Sequence, residues 1–204
     1  MPFPDELALA TRNPGKIREI LEICADWPVR WLLATAPGAE GWPEVDESGQ
    51  TYLDNALLKA RAVASVAGAP AVADDSGIEV DALGGEPGPQ SARFAGPTAT
   101  DHDNLRLVID RIRDVAPEDR TARYRCVAAC AWPDGREVWA EGECEGRLVL
   151  EPRGSGGFGY DPIFVPEGEE RRTMAQLSGE EKNAISHRGR ALRTLGDILG
   201  SSAG

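Results

Sequence analysis

The chain has 204 residues, 41% hydrophobic and 27% charged, which suits a single globular domain spanning 1–204, or one with a small lobe, and a buried core. Its formal net charge of −12 argues against a nucleic-acid partner, which would need a basic stripe, although a few cations in a cleft can still hold a small polyanion. No apolar run approaches the roughly 18 residues of a membrane span, and Met1-Pro2-Phe3-Pro4-Asp5-Glu6 lacks the basic and apolar regions of a signal peptide, so a cytoplasmic protein with no membrane partner is expected.

Leu7-Ala8-Leu9-Ala10 predicts a short buried strand. A helix follows from Asn13, which suits an N-cap, with Pro14 at the first helical position and Ile17, Ile20, Leu21 and Cys24 along one face. Residues 29–34 read as a second strand and 35–49 as a loop rich in Pro, Gly and acid. The clearest helix covers 50–67. Its apolar face runs through Leu53, Ala56, Leu57, Ala60, Val63, Ala64 and Ala67, with Gly68 and then Pro70 to end it. Residues 71–73 read as a short strand that stops at Asp74-Asp75-Ser76-Gly77. A Gly/Pro-rich loop over 84–97 precedes a helix at 100–114 lined by Leu105, Val108, Ile109 and Ile112. Residues 122–132 and 136–141 form a hairpin pattern turning at Pro133-Asp134-Gly135. A glycine-rich loop over 153–161 leads into a strand at Ile163-Phe164-Val165. Two helices close the chain. The first begins at the capping-box pair Ser178 and Glu181; the second covers 187–199 on Ala191, Leu192, Leu195 and Leu199. Strands alternating with helices around one hairpin give an α/β class with a mixed sheet. None of Cys24, Cys126, Cys130 and Cys144 makes a CxxC pair. Cys126 and Cys130 share a strand, roughly 13 Å apart at ~3.3 Å per residue and too far for a disulfide, so buried free thiols are expected.

Five segments carry candidate chemistry. Thr11-Arg12-Asn13-Pro14-Gly15-Lys16 joins a strand to a helix start, where free N–H groups and a lysine suit phosphate. It is not a Walker A loop, and an ordinary capped helix with a surface lysine has the same sequence. Asp74-Asp75 are adjacent carboxylates that repel one another unless a cation joins them; Mg²⁺ would do so, and a solvated Asx turn is the plainer alternative. Asp46-Glu47 precede the long helix, on which Asn55 and Lys59 lie one turn apart; the two acids either complete a metal site or favour the helix start. Gly154-Ser155-Gly156-Gly157-Phe158-Gly159-Tyr160-Asp161 holds four glycines in six residues, with aromatic faces for a purine base and a carboxylate to accept from it, or is simply a tight turn. Lys182 and Ser186-His187-Arg188-Gly189 offer donors to a base carbonyl, or a capping turn with an exposed arginine; His102 reads as a surface residue.

Together and in this order, these segments resemble the Ham1-like inosine/xanthosine triphosphate pyrophosphatase family. The likeness also takes in Ser91-Ala92-Arg93-Phe94 and the Asn55-Ala56 to Arg61 stretch, and it spans residues 7 to 195 with no departure at the motif positions. The resemblance implies an elongated mixed sheet with flanking helices, two lobes around a central cleft, and a homodimer. It implies hydrolysis of non-standard purine nucleoside triphosphates (ITP, dITP, XTP) to the monophosphate and pyrophosphate, with Mg²⁺ as cofactor. In that family the first motif, here Thr11 to Lys16, holds the triphosphate. Asp75 becomes the general base and a metal ligand, with Asp46 or Glu47 as its acidic partner. Lys59, Ser76, Phe158, Gly159, Tyr160, Asp161 and Lys182 fall at substrate-binding positions, and His187-Arg188 read the base. Two rivals stay open: a Maf-like pyrophosphatase acting on other nucleotides, and a nucleotide-binding module without turnover.

Overall fold

The computed structural model describes residues 3–34, 42–43 and 45–201. Positions 35–41 and 44 of the expected loop lie outside the described residues. Among the described residues there are six strands and five α-helices: β1 Glu6–Leu9, α1 Pro14–Ile23, β2 Arg30–Leu33, α2 Tyr52–Ala67, β3 Ala71–Val80, α3 Asp101–Ile112, β4 Thr121–Ala131, β5 Glu137–Leu148, β6 Phe164–Pro166, α4 Gly179–Ile185 and α5 His187–Ser201. The sheet has the strand order β2-β1-β3-β4-β5-β6. Parallel pairs join β1 to β2 and β3, and β6 runs antiparallel to β5, so the class is α/β with a mixed sheet and flanking helices. The chain divides into two compact units: residues 1–75, 126–142 and 188–204 in one, 76–125 and 143–187 in the other.

In the first unit, strand alternation sends β1 and β3 side chains to two different apolar layers. Leu7, Leu9 and Val72 pack with Ile20 and Cys24 of the α1 end and with Leu192, Leu195 and Leu199 of α5. Ala8, Ala10, Ala71 and Ala73 face the other way, against Ala60, Val63 and Ala64 of α2 and against Trp42. Alanine on both surfaces lets α2 sit close to the strands, and burial on both faces explains why β1 reads as a continuous apolar run.

In the second unit Ile78, Val80, Tyr124, Leu148 and Phe164 form a core with the α3 stripe Leu105, Val108 and Ile112. The alternate positions of its strands are polar: Arg123 pairs with Asp81 and Glu145, and Arg125 with Glu143.

Helix ends follow the sequence closely. Asn13 caps α1, accepting from the N–H groups of Gly15 and Lys16, with Pro14 at its start. Thr51 and Asp54 form a capping box for α2, as do Ser178 and Glu181 for α4. Gly68 ends α2 at φ 63°, in the left-handed region that glycine enters at little cost. All four cysteines are buried and none forms a disulfide. Several expected bounds move. The strand expected to stop at residue 73 runs on to Val80, taking Asp74 to Gly77 inside β3. Its continuation is stabilised by the burial of Ile78 and Val80 and by the cations that meet the two carboxylates. The second hairpin strand extends to Leu148, and the 84–97 loop contains a 3-10 turn, Gly88–Arg93. No helix among the described residues is long and apolar enough to cross a membrane.

Candidate active site

Alternation along β3 separates the two adjacent carboxylates. Asp74 lies in register with Val72 and turns toward α1 and α5; Asp75 lies in register with Ala71 and Ala73 and turns toward α2. Their surroundings differ accordingly.

Asp74 is 1% exposed. Its Oδ2 accepts from Arg188 Nη2 at 2.9 Å and Nε at 3.1 Å, and Lys16 Nζ lies 3.2 Å away. Arg188, equally buried, also donates to Glu19 Oε2 at 2.6 Å. Burial by itself would raise the Asp74 carboxyl, but Arg188, Lys16 and Lys59 outweigh it and hold Asp74 well below the usual carboxylate range. The neighbouring Cys126 thiol is pushed up to about 12, by burial first and then by the Asp74 charge, so it stays protonated.

Asp75 is 4% exposed. It accepts from Lys59 Nζ at 2.9 Å and from Asn55 Nδ2 at 3.3 Å. Lys59 also donates to Glu47 at 2.8 Å, so one ammonium joins Glu47 to Asp75. Burial raises the Asp75 carboxyl above its usual value despite Lys59 and Lys16. Burial would lower Lys59, yet Asp75, Asp74 and Glu47 together raise it, and it remains a cation. Asp46 is exposed and, among the described residues, it is Glu47 that the fold brings to this pair.

The start of α1 stands beside this cluster through Lys16. Two of its N–H groups are already taken by Asn13 Oδ1, at 2.9 Å for Gly15 and 3.2 Å for Lys16, and Thr11 Oγ1 accepts from the Asn13 N–H. The Arg12 guanidinium donates to the Trp42 carbonyl at 2.6 Å. Lys16, Lys59 and Arg188 thus face Glu19, Glu47, Asp74 and Asp75 in partly desolvated surroundings. Glu47 and Asp75 bring hard oxygen donors of the kind a divalent cation takes. Among the described residues no group of three or more His, Cys, Asp or Glu is placed to hold a metal ion.

The remaining sequence candidates lie in the second unit. Asp161, 3% exposed, accepts from Lys182 Nζ at 2.6 Å, from the Phe158 N–H at 2.9 Å and from Tyr124 OH at 3.1 Å. Lys182 Nζ also stands 5.1 Å from the centre of the Phe158 ring, a cation–π contact. The Gly159 N–H donates to Asp101, and Tyr160 OH donates to the Ser91 carbonyl. Gly157 has φ 70° and packs so tightly on Asp161 that no Cβ fits. His187 stacks on Tyr124 with centroids 4.6 Å apart. Ser76, on β3, belongs to this unit as well.

The fold brings the sequence candidates Lys16, Glu47, Lys59 and Asp75 together in the first unit, and Phe158, Asp161 and Lys182 together in the second. Sequence reading assigned no role to Glu19, Asn55, Asp101 or Tyr124. Glu19 carries no local signal: a glutamate on an amphipathic helix reads as solvated until Arg188 is brought to it from 169 positions away.

The family model described as the Ham1 family matches residues 7–198. The chain belongs to the Ham1 family. Among Ham1 relatives, a dITP/XTP pyrophosphatase of Streptomyces coelicolor is 52% identical over 95% of this chain and 96% of its own length. A dITP/XTP pyrophosphatase of Escherichia coli O157:H7 is 45% identical over 95% and 98%. The solved structure of a HAM1 protein from Coxiella burnetii is similar at TM-score 0.84 and 40% identity, covering 96% of this chain and 98% of that one.

Proposed function

We propose that this Ham1-family chain is a Mg²⁺-dependent pyrophosphatase that hydrolyses ITP, dITP and XTP to the monophosphate and pyrophosphate, as a cytoplasmic homodimer. The single observation that carries the reading is the convergence of Lys16 at a helix start, Lys59, Glu47 and the Asp74-Asp75 pair in one unit. Relatives of 45% to 52% identity bear the name of this activity.

In the reaction, water attacks the α-phosphorus, the α–β anhydride bond breaks, and pyrophosphate leaves. Asp75, whose proton affinity is raised by burial, takes the proton of the attacking water. Lys16 holds the phosphate tail, with Thr11 to Gly15 shaping the turn beside it. Glu47 and Asp75 would hold Mg²⁺, which when bound neutralises charge building on the leaving pyrophosphate. Asp74 keeps Lys16 in place without titrating. Selection for a 6-keto base is proposed, from the family resemblance, for donors at His187-Arg188. A buried polar mismatch of that kind can reach about 10⁴-fold.

A panel of ITP, dITP, XTP, ATP and GTP with and without Mg²⁺ tests the proposal. Monophosphate and pyrophosphate should appear from the first three, and only with metal. Equal turnover of ATP and GTP would remove the specificity, and release of orthophosphate alone would refute the bond assignment.

A further inference from the structure

One buried amide connects the two carboxylates proposed to hold metal. Asn55 is 0% exposed on α2. Its Oδ1 accepts from the Gly49 N–H at 2.8 Å, while its Nδ2 faces Asp75 Oδ2 at 3.3 Å. The two contacts define the orientation of the amide. Turned over, its oxygen would meet a carboxylate and its NH₂ would meet an N–H. The segment it docks carries Glu47, which shares the Lys59 ammonium with Asp75. Gly49 approaches so closely that an added Cβ would lie 2.6 Å from Asn55 Oδ1 and 2.6 Å from Asp54 Cβ. Glycine there is a packing requirement, and it is what lets the N–H reach the amide.

We propose that Asn55 is a positioning residue that sets Glu47 relative to Asp75, docking the Glu47 segment through Gly49 with its oxygen and orienting the Asp75 carboxylate with its nitrogen. Its kinetic consequences rest on the pyrophosphatase reading; its structural ones do not.

Three variants of the full chain separate the two halves of this role. Gly49→Ala displaces the segment and leaves the Asn55–Asp75 contact. Asn55→Asp keeps an acceptor for Gly49 and removes the donor to Asp75. Asn55→Ala removes both. Three measurements apply: backbone amide exchange over 45–49 without metal or nucleotide, Mn²⁺ binding to the nucleotide-free protein by electron paramagnetic resonance, and kcat and KM for ITP across a Mg²⁺ titration.

Gly49→Ala should speed exchange over 45–49 and weaken Mn²⁺ binding about 10- to 100-fold, the usual effect of losing a contact that orients a metal ligand. Its kcat should largely recover at saturating Mg²⁺. Asn55→Asp should keep slow exchange at Gly49 yet lose about 10-fold or more in kcat at any Mg²⁺ concentration, because the base is misplaced. Asn55→Ala should show both losses; should it not fold, the other two variants carry the test. The proposal is overturned if Asn55→Asp retains wild-type kcat, or if Gly49→Ala leaves both amide exchange and Mn²⁺ affinity unchanged. A wild-type chain that releases no pyrophosphate from ITP would instead sink the pyrophosphatase reading, with the exchange and Mn²⁺ readouts still deciding the role of Asn55.

Discussion

Two aspartates side by side in sequence are made chemically different by the two faces of β3. Asp74 is clamped by Arg188 and Lys16 and sits well below the usual carboxylate range; Asp75, against α2, is raised by burial. The Asp74 shift has a definite sign in stability. Because the folded value is depressed, its contribution is fully present above the ordinary value of 3.8 and is lost as pH falls below it. Asp74→Asn should therefore flatten the acid limb of the stability profile below about pH 4, measured by denaturant titration at a series of pH values. An acid limb identical to wild type would show that the clamp is not coupled to folding. Arg188 invites a second test. The residue is 1% exposed and its guanidinium bridges Glu19 to Asp74, so Arg188→Ala should cost about 3–5 kcal/mol by breaking a buried ion-pair network. If Arg188 also reads the base, the ITP/ATP ratio of kcat/KM narrows in any variant stable enough to assay. A uniform fall for all nucleotides would make it a brace for Asp74 alone. The carboxylate pair was legible in sequence as unusual chemistry. Which member is the brace was not, since that depends on partners brought from α1 and α5.

Among the elements, helix ends were the most legible because caps are local: Asn13 with Pro14, Ser178 with Glu181 and Gly68 each act within a few residues of the backbone groups they satisfy. The course of β3 was less so. Asp-Asp-Ser-Gly has poor strand propensity, and only tertiary ion pairs and the buried Ile78 and Val80 carry the strand through it. The Phe158–Asp161 loop is an intermediate case. Its glycines announced a close approach, but not that the approach is to its own Asp161. Gly157→Ala should break the Asp161–Lys182 geometry by steric conflict at a positive φ, destabilising the chain by about 1–3 kcal/mol and raising KM for nucleotide. A melting temperature and KM equal to wild type would argue that the loop has room to yield.

For the whole chain, three strands pass through both compact units, so the division falls inside β3, β4 and β5 rather than at a linker, and linker composition could not have announced it. The proposed homodimer should sediment at twice the 21.8 kDa chain mass at micromolar concentration; a single monomeric species there would rule it out. The sequence by itself determined the family, the α/β class, the helix caps and the identities of the chemical groups, because motif order, periodicity and capping are written along the chain. Only the tertiary structure decided that Glu47 rather than Asp46 joins Asp75, that Asp74 is neutralised by Arg188 and Lys16, and that Asn55 stands between Gly49 and Asp75. Those are choices among like groups. They are made by which strand face each one occupies and by partners from 6 to 114 positions away, whose approach is driven by burial of the surrounding apolar layers rather than by any local pattern.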